Sequence, residues 1–128
     1  MPNSRNRFLS FVILASFGVG AGCKHAQQPI TSGIVVGDYV YISEDPENKA
    51  SDHNADHLRL QPDGKYDLVQ GGSSKPKTET TGNWRIWSGG SNGPRVLLDN
   101  SGYPIEIHDR EIRLLIDNDV GIWFSKAR

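Results

Sequence analysis

The chain has 128 residues, 14 basic and 15 acidic, for a formal net charge of −1, with a single cysteine. That balance argues against a nucleic-acid partner, which needs clustered basic residues for phosphate contact. One cysteine excludes a disulfide framework within the chain and a zinc site built from several thiolates.

The first 22 residues read as a secretory leader. Arg5 and Arg7 give a positive head, Phe8 to Phe17 an apolar middle, and Gly18, Gly20, Ala21 and Gly22 a small-residue end before Cys23. This three-part layout marks a signal segment. The apolar run falls short of the roughly 18 residues a spanning helix needs. The ending Gly20-Ala21-Gly22-Cys23 resembles the lipobox of bacterial lipoproteins, although Gly20 stands where that family usually has leucine. The resemblance implies acylation of Cys23, which becomes the mature N-terminus. With Lys24 rather than aspartate following, it also implies an outer-membrane address facing the periplasm. The alternative is an ordinary signal peptide cut nearby, leaving Cys23 unacylated or removed. Losing residues 1–22 takes Arg5 and Arg7 away, so 12 basic residues face 15 acidic and the net charge becomes −3.

Residues 23–33 form a polar tether carrying Gln27, Gln28, Pro29, Thr31 and Ser32. A single domain is expected over residues 34–128. No useful helical period occurs there, whereas period-two alternation recurs. Val35 to Ile42 is the first predicted strand, with Tyr39 and Tyr41 on one face and Val40 and Ile42 on the other. Glu44 to Asp56 is a polar loop with room for one helical turn. Leu58 and Leu60, then Tyr66 and Leu68, alternate on either side of Pro62-Asp63-Gly64, and an Asp-Gly pair between alternating runs marks a hairpin. Gly71 to Lys77 is a loop. Thr80 to Trp87 is a strand with Trp84 and Ile86 on one face and Trp87 on the other. After the flexible run Ser88 to Pro94, strands are expected around Val96 and Leu98, around Tyr103 to Ile107, around Ile112 to Ile116, and around Ile122 to Phe124. Asn100-Ser101-Gly102, His108-Asp109-Arg110 and Asp117-Asn118-Asp119 supply the turns.

The fold class predicted is all-β: about eight short antiparallel strands in a meander, closed into a small up-and-down barrel or folded into a two-sheet sandwich. Either solution shelters the strand edges. Gly37-Asp38-Tyr39, Leu58-Arg59-Leu60 with Asp63-Gly64-Lys65-Tyr66, Thr81-Gly82-Asn83-Trp84 and Asp119 to Lys126 follow in an order similar to that of small bacterial secreted and lipid-anchored β proteins of broadly calycin-like form. That resemblance implies a fold and carries no catalytic residues.

Among chemistry-bearing clusters, Asp52 to His57 stands out. His53 and His57, with Asp56 as a third ligand, offer imidazole and carboxylate to zinc, copper or nickel, but a fixed site needs three or four convergent ligands. A solvated loop is the competing reading. Asp117-Asn118-Asp119-Val120-Gly121 has the oxygen-rich look of part of a calcium loop but lacks its final acidic ligand, and a hairpin turn is needed there. Ser73, Ser74, Ser88 and Ser91 lie among glycines without a nucleophile elbow. Asp109 and Glu111 flank a turn, and no phosphate loop follows Gly93. No cofactor and no catalytic constellation is therefore expected. Trp87, Trp123 and Tyr41 are the candidate contacts to a protein partner or small apolar ligand. Adjacent strand residues point to opposite faces, so each of the pairs Trp84/Trp87 and Trp123/Phe124 must leave one ring outside the barrel. The sequence predicts a non-enzymatic, lipid-anchored binding protein of the cell envelope, with a metal-binding lipoprotein using His53 and His57 as the alternative.

Overall fold

The computed structural model describes residues 29–53, 55–71 and 76–127. Cys23, the leader, Asn54, Ser73 and Ser74 lie outside these. A helical turn, α1 (Ser32–Val35), leads into eight strands: β1 (Gly37–Ser43), β2 (His57–Leu60), β3 (Lys65–Gln70), β4 (Thr78–Trp87), β5 (Arg95–Leu98), β6 (Ser101–His108), β7 (Glu111–Asp117) and β8 (Ile122–Ala127). Each strand pairs antiparallel with the next, and β8 pairs back with β1 through Val40↔Ser125 and Ile42↔Trp123, so the sheet closes into a barrel. Closure leaves no free edge.

Alternation sorts the side chains as the period-two pattern requires. Tyr39, Leu58, Leu60, Val96, Ile112, Leu114 and Phe124 point into the lumen and are at most 1 % exposed. Tyr66, Leu68, Trp84, Leu98 and Ile105 join them. The long strand β4 serves both halves: residues 78–83 pair with β3 and residues 84–87 with β5. At its bend, Gly82 leaves room for the Asp99 carboxylate, which a Cβ there would strike. Asp99 adopts φ 49, and its Oδ1 accepts the Asn83 N–H at 3.1 Å while its Oδ2 accepts the Tyr66 hydroxyl at 2.8 Å.

In an up-and-down barrel, connections alternate between two rims. Residues 61–64, 88–94 and 109–110 share the rim at which α1 enters. Residues 44–56, 71–77, 99–100 and 118–121 share the opposite rim. At the entry rim the structure corrects one expectation. Val35 and Val36 are not the start of a strand: Val36 N–H bonds back to Ser32 O at 3.0 Å, ending a helical turn that reaches into the stretch read as tether. Gly37, at φ 139, then redirects the chain into β1. Val35 is fully buried beneath the barrel, its carbonyl accepting the Tyr39 hydroxyl at 2.6 Å. The Lys126 ammonium donates to Ile34 O at 2.6 Å and Val36 O at 2.5 Å, satisfying carbonyls that a helix end leaves open. Gly37 has no side chain because the Lys126 stem passes where one would sit, 2.9 Å from an added Cβ. The entry rim is therefore plugged by the chain's own first turn.

Candidate functional site

At the opposite rim the loop from Glu44 to Asp56 folds over the barrel mouth and places a 3-10 turn (Ala50–His53) against Tyr41. The His53 ring stacks on Tyr41 with centroids 4.3 Å apart, and Tyr41 meets Phe124 edge-on at 6.2 Å. Asp56 is the buried polar residue of this mouth, 4 % exposed. Its two oxygens are engaged: Oδ1 accepts the Gly71 N–H at 2.7 Å and Oδ2 pairs with His53 Nδ1 at 2.8 Å. Asp56 thus ties the loop before β2 to the loop after β3. Burial raises the Tyr41 phenol above its ordinary range, with the Asp56 and Asp45 charges adding to it and a Ser43 hydrogen bond opposing.

His57 takes no part in this cluster. It opens β2, is exposed, and its Nδ1 contacts Ala55 O at 3.1 Å. Two of the three residues weighed as metal ligands, His53 and Asp56, come together and the third points elsewhere. Among the described residues no group of three or more His, Cys, Asp or Glu side chains converges as a metal site would require. Asp117 Oδ1 accepts the Asp119 N–H at 3.1 Å, which is turn chemistry.

The aromatic candidates separate into three situations. Tyr41 is half-buried at the mouth beneath His53. Trp123 is on the outer face of β8 and yet only 7 % exposed. Arg113 from β7 lies over its ring, 4.3 Å from guanidinium carbon to centroid, and Trp123 Nε1 donates to Glu111 Oε1 at 3.0 Å. The same carboxylate accepts Ser125 Oγ at 2.7 Å and Arg113 Nε at 2.9 Å. Burial alone would raise the Glu111 carboxyl, but the bonds from Ser125, Arg113 and Trp123, with the Arg113 charge, outweigh it and hold Glu111 below the usual carboxylate range. Trp87, by contrast, stands 38 % exposed at the entry rim.

Around Trp123 the outer face is apolar. Ile42 and Leu115 flank it across β1 and β7, Val40 sits two residues from Ile42 on the same face, and Ile116 is the unpaired residue of the β7 bulge between Leu115 and Asp117. Val40 is 55 % and Ile116 40 % exposed. On the other side of the barrel, His57, Arg59, Asp67, Val69, Glu79 and Thr81 border a depression of about 250 Å³, polar and apolar in mixture, across β2, β3 and β4. Arg59 Nε donates to Asp38 Oδ1 at 2.6 Å near its edge. Among the described residues, no hydrogen bond joins His57 to the threonines of its walls.

Sequence reasoning weighed Asp56 only as a metal ligand and missed its burial and its bond to Gly71, and it missed the Glu111–Arg113–Trp123 cluster. The bond from Gly71 joins loops 15 residues apart, which no local pattern displays. The cluster had a partial signal: Glu111 and Arg113 share a strand face with alternation, but the register that sets them beside Trp123 is not written in either strand alone. No described helix is long and apolar enough to cross a membrane. Comparison with protein-family models, with curated proteins and with solved structures finds no match.

Proposed function

We propose that this chain is a lipid-anchored envelope protein whose barrel binds a protein partner on its outer surface and performs no catalysis. One observation carries the reading: an apolar strip of Val40, Ile42, Trp123 and Leu115 lies outside a barrel whose lumen is occupied by the chain's own side chains. A ligand-carrying barrel needs interior space, whereas here Tyr39, Leu58, Leu60 and Phe124 fill it and α1 plugs one end. Aromatic and arginine side chains with a polar margin are what protein-binding surfaces favour, and Arg113 with Glu111 provides that margin beside Trp123. The lipobox-like Cys23 supports the anchoring half of the proposal.

The test is site-specific photo-crosslinking in cells. A photoreactive side chain replaces Val40 or Ile116 in one set of strains and the remote, exposed Lys77 in another. A discrete protein adduct from the first two positions and not from the third is the expected result. Absence of any adduct at Val40 and Ile116, with an apolar molecule retained by the purified protein in native mass spectrometry, would move the binding site into the barrel and overturn the proposal.

A further inference from the structure

Trp87 does not belong to the apolar strip. It ends β4 at the entry rim, on the outer face, cross-strand from Arg95 and two residues from Arg85. Its indole N–H has no hydrogen-bond partner among the described residues, unlike those of Trp84 and Trp123, which donate to Gln61 O and Glu111. The loop beside it packs on the ring through glycines: an added Cβ at Gly90 would come within 2.7 Å of the indole, and one at Gly89 within 3.1 Å. That loop, residues 88–94, carries no charge, and residues 84–98 contain two arginines and no acid.

The charges around this rim are unevenly matched. Asp38 is paired with Arg59 and Glu111 with Arg113, Glu106 lies 3.2 Å from His108, and Asp63 and Asp109 have no basic side-chain partner among the described residues. Lys65, Arg85, Arg95 and Arg110 have no carboxylate partner among the described residues. At the opposite rim the surplus is negative, with Glu44, Asp45 and Glu47 in one loop and Asp117 and Asp119 at another. A tryptophan with a free N–H beside unpaired cations and an uncharged loop is the chemistry that settles in the headgroup layer of a bilayer. Anionic lipid adds attraction to such cations and repels the acidic rim.

Chain length points the same way. Eight residues, 24–31, join Cys23 to the first residue of α1. Fully extended they span at most about 30 Å. The tether joins the fold at the entry rim, so a lipid on Cys23 brings that end of the barrel nearest to the membrane surface.

We infer that the barrel stands on the bilayer by its entry rim, with Trp87 and loop 88–94 in the headgroup layer and Arg85 and Arg95 on lipid phosphates. This inference rests on the proposed acylation of Cys23. It fixes which surfaces a partner can reach, because the acidic rim faces away from the membrane and the Val40–Trp123 strip stands on the barrel wall.

The test uses the chain expressed from Met1, purified from the membrane fraction and placed on vesicles of phosphatidylethanolamine and ring-free, chain-brominated phosphatidylglycerol. Bromine quenches only tryptophan at the lipid. Wild-type emission is quenched, Trp87→Phe abolishes the quenching, and each of Arg85→Gln and Arg95→Gln weakens the docked population roughly fivefold at low salt. Trp84 and Trp123 remain as internal reporters of folding in the Trp87→Phe protein. If mass spectrometry shows an acylated Cys23 and the protein floats with the vesicles, yet quenching is equal in wild type and Trp87→Phe, the anchor stands and the orientation is wrong. If Cys23 is unmodified and the chain does not float, both fall.

Discussion

Lys126→Met is the most informative single perturbation of the plugged rim. Methionine keeps the apolar stem that passes Gly37 but removes the ammonium that donates to Ile34 O and Val36 O. Each carbonyl left without its donor in a partly buried position costs about 1–3 kcal/mol. The ammonium also lies 5.9 Å from the Tyr39 ring, a cation–π contact of about 0.5 kcal/mol. Burial lowers the Lys126 pKa, so relief of that desolvation offsets part of the loss. The net destabilisation expected is about 2 kcal/mol, which in a domain near 100 residues lowers Tm by roughly 8–16 °C. The assay is thermal unfolding by circular dichroism, paired with Tyr39→Phe, which removes the hydroxyl bonded to Val35 O at 2.6 Å. Both side chains hold the same four-residue turn, so the double variant loses less than the sum of the two singles. A Lys126→Met protein melting within about 2 °C of wild type, or strict additivity of the pair, would refute the view that this turn is clamped to the barrel.

Three further outcomes follow from the polar contacts. Asp56→Ala strips the acceptors of Gly71 N–H and His53 Nδ1 and costs about 2–4 kcal/mol by urea midpoint, with faster amide exchange at Gly71; a change under about 0.5 kcal/mol would contradict the bridging role of Asp56. Glu111 titrates below its ordinary range when folded, so its contribution is whole above the unfolded carboxyl pKa and is lost as pH falls through the depressed folded value. Glu111→Gln should flatten that part of the acid limb of stability, and an unchanged acid limb would count against the cluster. At the alkaline end, burial first, then the Asp99 hydrogen bond and charge, push Tyr66 up to about 12, and burial raises Tyr39 further. Raised phenols contribute stability that is whole below about pH 10 and is lost as pH rises through the folded values, so tyrosinate absorbance should show delayed ionisation coinciding with unfolding. Four tyrosines titrating together near pH 10 would contradict it.

Much of this barrel could be read before any coordinates. Leu58, Leu60, Tyr66 and Leu68 alternate without interruption across Asp63-Gly64, and that local signal contains both the strands and the turn. The opposite orientations of Trp84 and Trp87 followed from the same period. What the pattern could not carry was everything set by distant partners. Barrel or sandwich depends on whether β8 finds β1, a pairing between residues 79 to 85 positions apart. The α1 turn spans four residues, too few to display a helical period, and exists because Tyr39 and Lys126 hold its carbonyls. The β5–β6 turn falls at Asp99-Asn100, ahead of the expected Asn100-Ser101-Gly102, because Asn83 and Tyr66 hold the Asp99 side chain and stabilise its positive φ. Trp123 is outside the barrel as the period demands, but its burial is the work of Arg113 on another strand.

The candidate site was legible only in its parts. His53, Asp56 and Tyr41 were each visible, while their assembly at one mouth required the loop from Glu44 to fold back over β1. His57, four residues from His53, shared a face with it only if the segment were helical. A 3-10 turn that ends at His53, followed by a strand beginning at His57, separates them.

The account depends most on the membrane tether, and a direct measurement reaches it. Cells expressing the chain from Met1 are grown with a clickable fatty acid, and the mature protein is isolated and its N-terminal peptide weighed. The account predicts label on the wild-type chain, none on Cys23→Ser, and an acylated N-terminal peptide beginning at Cys23. An unlabelled wild-type chain whose N-terminal peptide begins elsewhere, or carries an unmodified thiol, would contradict it.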